Sequence, residues 1–153
     1  MQPSQTDRGR RRRNVLLGLA LFGAFAVIYA YVNRPVPAPA GWSESFAAAE
    51  QEARGQGKPL LIDFGAEWCP ACRRMTAEVL SSPRLAGALA DFVLVRVDVD
   101  ERPDLASRYG VTALPTFVVT DAGGRELHRF EGYRDVDRFL AEVQTARRRL
   151  TTG

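Results

Sequence analysis

The sequence predicts an α/β domain, a central mixed β-sheet flanked by helices, preceded by one N-terminal transmembrane helix. Three observations lead there. Residues 15–32 run without a charge, and at about 1.5 Å of rise per residue such a helix reaches about 27 Å, enough for a hydrocarbon core of about 30 Å. Beyond Gly41, short apolar runs at 59–64 and 92–98 alternate with helix-length segments, as parallel strands joined by crossover helices do. A third run at 116–120, the turn Asp121-Ala122-Gly123-Gly124 and a further run at 125–131 read as an antiparallel hairpin, which makes the sheet mixed.

In chain order, residues 1–14 are polar and end in Arg10-Arg11-Arg12-Arg13. By the positive-inside rule this end is cytoplasmic and everything past Asn33 is exported, to the periplasmic side of a bacterial inner membrane. Tyr29 and Tyr31 fall at the far interface, where aromatic rings are favoured. Residues 15–32 are therefore assigned as a single-pass anchor and the proline-rich 33–41 as an extended tether. Three alternatives stand beside the anchor. Ala38-Pro39-Ala40 resembles a signal-peptide cleavage site, although the apolar run exceeds an h-region of about 7–15 residues. Arg12-Arg13 resembles a twin-arginine export signal. A buried core helix is the third, and the proline tether isolates it from any core.

Residues 42–150 hold the remaining domain. Ser43 or Ser45 caps a helix expected to run to about Arg54. Gly55-Gln56-Gly57-Lys58 stops it and releases the first strand, Pro59-Leu60-Leu61-Ile62-Asp63-Phe64, whose continuous apolar character suits burial on both faces. A helix is expected over 71–80, and a second one starting with Ser82 at its N-cap and Pro83 at its first position. The run 92–98 is then a second buried parallel strand, and 103–109 a short crossover helix ended by Gly110. Asp135 caps a final helix, with Val136, Phe139, Leu140 and Val143 at core-facing spacing.

Charge excludes one class of function. The formal net charge of +3 comes from residues 1–40, where six arginines face one aspartate; of 21 basic and 18 acidic residues this leaves 15 and 17 from Gly41 onward. A domain at −2 carries no nucleic-acid footprint, and no cofactor motif such as a glycine-rich phosphate loop is present.

Chemistry concentrates in the stretch from Asp63 to Cys72, which holds both cysteines and hands a buried strand to a helix. Two thiols two residues apart at a helix start can close a small ring, and the helix N-terminus stabilises a thiolate there, so Cys69 is the candidate nucleophile. A structural bridge across so short a loop removes little unfolded-state entropy. Zinc needs four ligands, and the chain offers two Cys and the distant His128; no metal site is assigned. Pro70 suits the first helical turn, where its missing N–H has no intrahelical acceptor. Asp63, inside an apolar strand, must be desolvated, and burial raises a carboxyl pKa. His128 reads as a solvated or half-buried strand residue rather than a catalyst. Met75 reads as core.

Asp63-Phe64-x-Ala66-Glu67-Trp68-Cys69-x-x-Cys72, followed by Arg108-Tyr109-Gly110-Val111-x-x-Leu114-Pro115-Thr116, closely resembles the thioredoxin superfamily over about 59–143. Gly57-Lys58-Pro59 and the Ser82-Pro83-Arg84-Leu85 segment are more similar to the C-terminal, periplasmic domain of DsbD-type thiol:disulfide interchange proteins. The dipeptide Pro70-Ala71 departs from thioredoxin's Gly-Pro. The resemblance implies the thioredoxin fold and a redox-active Cys69–Cys72 pair. It gives Asp63 the role of proton relay to the resolving Cys72, with Arg96 in place of the lysine that neighbours this aspartate. It also implies that Leu114-Pro115 is a cis-proline loop which, with Trp68 and Gly132, contacts substrate. The expected function is thiol-disulfide exchange, most simply reduction of protein disulfides, with apocytochrome c and other CxxC proteins as clients and a transmembrane protein as electron donor. The same site used as oxidase or isomerase, and a Cu(I)-binding module using both thiolates, are the alternatives.

Overall fold

A computed structural model describes residues 5–32 and 38–151; of the tether assigned to 33–41, positions 33–37 lie outside the described residues. The chain divides into two units, 1–35 and 36–153. In the first, helix α1, Gln5–Val32, carries the 20-residue stretch Arg12–Tyr31, apolar and long enough to cross a membrane and exposed along its whole length. The helix begins upstream of the expected span and includes the arginine run.

The second unit is built on a four-stranded sheet. Its elements are α2 (Phe46–Gln56), β1 (Leu60–Gly65), α3 (Pro70–Met75), α4 (Pro83–Ala88), β2 (Val93–Asp98), α5 (Pro103–Arg108), β3 (Thr116–Thr120), β4 (Glu126–Glu131) and α6 (Val136–Thr151). The strand order is β2-β1-β3-β4, with β2 parallel to β1 and both β1–β3 and β3–β4 antiparallel. This is the expected mixed sheet.

Local chemistry places the elements. Ser45 caps α2, its side chain accepting the Ala48 N–H, and Gly57 closes that helix at φ 66°, a left-handed conformation that glycine adopts without a Cβ penalty. Asp135 caps α6, Oδ1 accepting the Arg138 N–H at 2.8 Å. Ser82 stands at the α4 N-cap without a side-chain hydrogen bond, and its carbonyl takes the Leu85 and Ala86 N–H groups instead.

Two expectations are corrected. The helix over 71–80 is α-helical only to Met75; Thr76–Leu80 is a π-helical turn. There the Thr76 hydroxyl donates to the Cys72 carbonyl and the Ser81 hydroxyl to the Thr76 carbonyl, so side chains take up acceptors of the backbone ladder. The second strand is not buried on both faces: Leu94, Arg96 and Asp98 alternate as half-buried positions, because β2 lies at the sheet edge.

Strand alternation divides the core. Leu61 faces a cluster that includes Met75, Val79, Leu85 and the rings of Phe117, Phe130 and Phe139. Leu60, Ile62 and Phe64 face α2 and α5 through Phe46, Ala49, Ala53 and Leu105. In the first cluster Phe117 stacks on Phe130 at 4.9 Å and meets Phe139 edge-on at 5.1 Å. Each such ring contributes roughly 1.5–3 kcal/mol by leaving water. With period two, Asp63 and Gly65 share the Leu61 face, the one covered by α3.

Candidate active site

Cys69 and Cys72 are joined by a disulfide with their Cα atoms 5.3 Å apart. Cys69 is the N-cap of α3, Pro70 occupies its first turn, and the Cys72 N–H points at Cys69 Sγ at 3.1 Å. That N–H is one of the donors a helix start leaves without an intrahelical acceptor. When the disulfide is reduced, it and the helix dipole favour negative charge on the Cys69 sulfur. Both cysteines are buried residues, in a small cluster with Ala66 against which Ala71, Val99 and Leu114 pack.

On the strand that leads into them, and on the face it shares with Leu61 and Gly65, lies Asp63, 3% exposed. Loss of water raises its carboxyl from 3.8 to about 6, and the positive charge of Arg96 restrains the rise. The two residues are register partners across β1 and β2, with Arg96 Nε 4.0 Å from the carboxylate. A carboxyl poised near neutrality can take and return a proton.

Gly65, which sequence reasoning missed, completes this side. A Cβ at position 65 would sit 3.6 Å from both Cβ and Sγ of Cys72 and 3.8 Å from an Arg96 nitrogen. A side chain there would meet Cys72 at ordinary van der Waals distance, so the end of β1 runs beside the disulfide, and Arg96 reaches from Asp63 toward the same spot. The available signal was a glycine ending a buried strand, which often marks a close approach.

The other flank is formed by the turn before β3. The Leu114–Pro115 bond is cis, Pro115 is buried and Leu114 half-buried. Thr116 Oγ1 donates to the Ala113 carbonyl at 2.7 Å, and the Gly132 N–H donates to the Pro115 carbonyl at 2.8 Å. Gly132 is at φ 76°, where a side chain would be strained.

Trp68 is 66% exposed, a flank and not core. Its Nε1–H donates to Asp100 Oδ2 at 2.7 Å, and the Asp100 N–H donates in turn to Asp98 Oδ1. Asp100, 32 residues away, carried no signal in the sequence. The structure therefore places Arg96 and Leu114 beside the Cys69–Cys72 disulfide, pairs Asp63 with Arg96, joins Pro115 to Gly132, and ties Trp68 to the loop after β2. His128 is outside the group and corrects its expectation: it is buried, with Nε2 2.7 Å from Glu142 Oε2, because α6 covers β4. Met75 is core, 1% exposed.

A buried dithiol–disulfide pair, a stabilised sulfur and a tuned carboxyl suit exchange of disulfides, and the proteins this chain resembles include thioredoxins and a thiol:disulfide interchange protein. The family model for the thioredoxin-like domain matches residues 46–147. Thioredoxin H-type of Fagopyrum esculentum is 39% identical over 93 residues, 61% of this chain and 73% of that protein. Thiol:disulfide interchange protein DsbD of Yersinia pestis is 33% identical over 98 residues, 60% of this chain and only 16% of that protein. The crystal structure of the reduced C-terminal domain of Neisseria meningitidis DsbD superposes with a TM-score of 0.57 at 25% identity, covering 65% of this chain and 91% of that one. The chain belongs to the thioredoxin-like domain family, and it is a thiol-disulfide oxidoreductase with the thioredoxin fold.

Proposed function

We propose that this chain is a membrane-anchored, extracytoplasmic reductase of protein disulfides. Residues 1–14 are its cytoplasmic end, 15–32 the anchor, 33–41 the tether and 42–150 the working domain, on the periplasmic face of a bacterial inner membrane. The carrying observation is the Cys69 sulfur receiving the Cys72 N–H at the start of α3, with a desolvated Asp63 on the strand that leads into it. In the reaction, the Cys69 thiolate attacks one sulfur of the partner's disulfide, forming a mixed disulfide and releasing the partner's first thiolate. Cys72 gives its proton to Asp63, and the new thiolate attacks Cys69 Sγ. The Cys69–Cys72 disulfide forms, the second partner thiolate leaves, and two electrons have passed to the partner.

Trp68, Leu114, Pro115 and Gly132 receive the substrate segment, while Pro70 and Arg96 tune the pair. Since no group on this chain generates electrons, a membrane protein must return Cys69 and Cys72 to the dithiol. DsbD, a thiol:disulfide interchange protein, supports this reading through its similarity to residues of this domain. Oxidised CxxC proteins, apocytochrome c among them, are the fitting clients.

The test is the reduction potential of Cys69/Cys72 in the full chain in detergent, alongside two variants. A value near about −270 mV supports a reductase, and one near about −120 mV makes the site an oxidant and reverses the flow. Cys72→Ser should hold partners as mixed disulfides and Cys69→Ser should lose exchange; full turnover by the latter sinks the assignment.

A further inference from the structure

Tyr133 has no place in the chemistry above, yet it joins the two walls of the site. It follows Gly132 on the loop from β4 to α6, and its hydroxyl donates to Glu78 Oε2 at 2.8 Å. The same oxygen accepts from Arg74 Nε at 2.9 Å, and the Arg74 guanidinium lies 4.2 Å from the centroid of the Tyr133 ring. Arg74 stands on α3 two residues past Cys72, and Glu78 in the π turn. Three side chains thus fasten the 132–134 loop to the active-site helix. The loop is also held from behind, where an Arg134 nitrogen donates to the Tyr133 carbonyl at 3.1 Å and the Arg134 Nε lies 3.8 Å from Glu142 of α6. One residue before Tyr133, the Gly132 N–H holds the Pro115 carbonyl.

We propose that Tyr133, clamped by Glu78 and Arg74, is a positioning residue that sets the spacing between the active-site helix and the Leu114-Pro115 backbone, and so the width of the slot that takes an extended, disulfide-bearing protein segment. This rests on the assignment of Leu114, Pro115 and Gly132 as substrate contacts. A small disulfide reaches Cys69 without spanning the slot, whereas a polypeptide must meet both walls at once. Loosening one wall therefore costs binding of the polypeptide while the bond-exchange step, made by Cys69 and Cys72, keeps its geometry.

The full chain in detergent, reduced beforehand, is oxidised in single turnovers by insulin and by hydroxyethyl disulfide, giving a limiting rate and a half-saturating concentration for each. Tyr133→Phe removes the hydroxyl donor and Glu78→Leu the acceptor; Glu78→Gln keeps an acceptor oxygen. The first two should raise the half-saturating insulin concentration about two- to tenfold, the scale of one hydrogen bond, relative to that for hydroxyethyl disulfide, without lowering the limiting rate. Glu78→Gln should restore much of the loss, and Tyr133→Phe with Glu78→Leu should be no worse than either alone. Equal losses with both oxidants, or a shifted reduction potential, would make the cluster merely structural and overturn the proposal. A raised insulin concentration in Pro115→Ala with Tyr133→Phe unaffected overturns the clamp alone. No change in Pro115→Ala overturns the substrate-contact assignment and the clamp with it.

Discussion

Replacing Asp63 by asparagine should make the protein more stable at pH 8 and leave it nearly unchanged at pH 4. Unfolded, the carboxyl titrates at its ordinary 3.8; folded, at about 6. At 1.36 kcal/mol per unit, holding the ionised form in the folded domain costs about 3 kcal/mol. Because the folded value is the higher one, the native state binds the proton more tightly than the unfolded chain does. The corresponding stability is fully present below about pH 3.8, declines as pH rises through about 6, and is absent above that. Asparagine is neutral throughout and nearly isosteric with the protonated acid, so its advantage grows over this same window, to about 3 kcal/mol at pH 8. Urea unfolding of the oxidised chain at pH 4, 6 and 8, followed by Trp42 and Trp68 fluorescence, measures it. A gain independent of pH, or no gain at pH 8, would refute the claim that desolvation dominates over Arg96. The same substitution should slow resolution of a mixed disulfide and erase an inflection near pH 6 in its rate, since only the ionised carboxylate can accept the Cys72 proton. A wild-type profile flat from pH 5 to 8 would remove Asp63 from the relay.

Two further outcomes test the frame around the site. Phe117→Ala removes one of three mutually packed rings, the others being Phe130 and Phe139, and should cost about 3–5 kcal/mol in urea unfolding; a loss below about 1 kcal/mol would mean that the neighbouring rings collapse into the space. Gly132→Ala forces a side chain into φ 76°, at roughly 1–2 kcal/mol. Its new methyl meets only the end of the flexible Arg134 side chain, at 3.8 Å. Stability should fall by that amount and single-turnover reduction of insulin should slow, and an alanine variant with full stability would show that the loop relaxes.

Features that depend on neighbours in the chain were legible from the residues alone. The charge-free length of 15–32 and the arginines before it define an apolar helix, the Asp121–Gly124 turn defines a hairpin, and two cysteines at a strand-to-helix junction define a redox pair. Each needs only the backbone period, turn chemistry or the reach of a short ring. Boundaries were less legible where side chains compete with the backbone, as at Thr76 and Ser81, which turn the end of the active-site helix into a π turn.

Tertiary structure decided what passes between distant segments. Burial of Asp63 could be expected from its apolar strand, but its titration near 6 depends on how completely the folded domain removes it from water and on Arg96 from the next strand. Edge position in the sheet, not apolar content, left alternate residues of β2 half-buried. His128 is buried because α6 lies over β4, and Trp68 is aimed by an aspartate 32 residues away. Desolvation and hydrogen bonding depend on what surrounds a group in space, and that surrounding is assembled from elements no local pattern connects. The two cysteines and the aspartate of this protein are therefore written in ten consecutive residues, while the burial of Asp63 and the residues packed against the disulfide belong to the folded sheet and its helices.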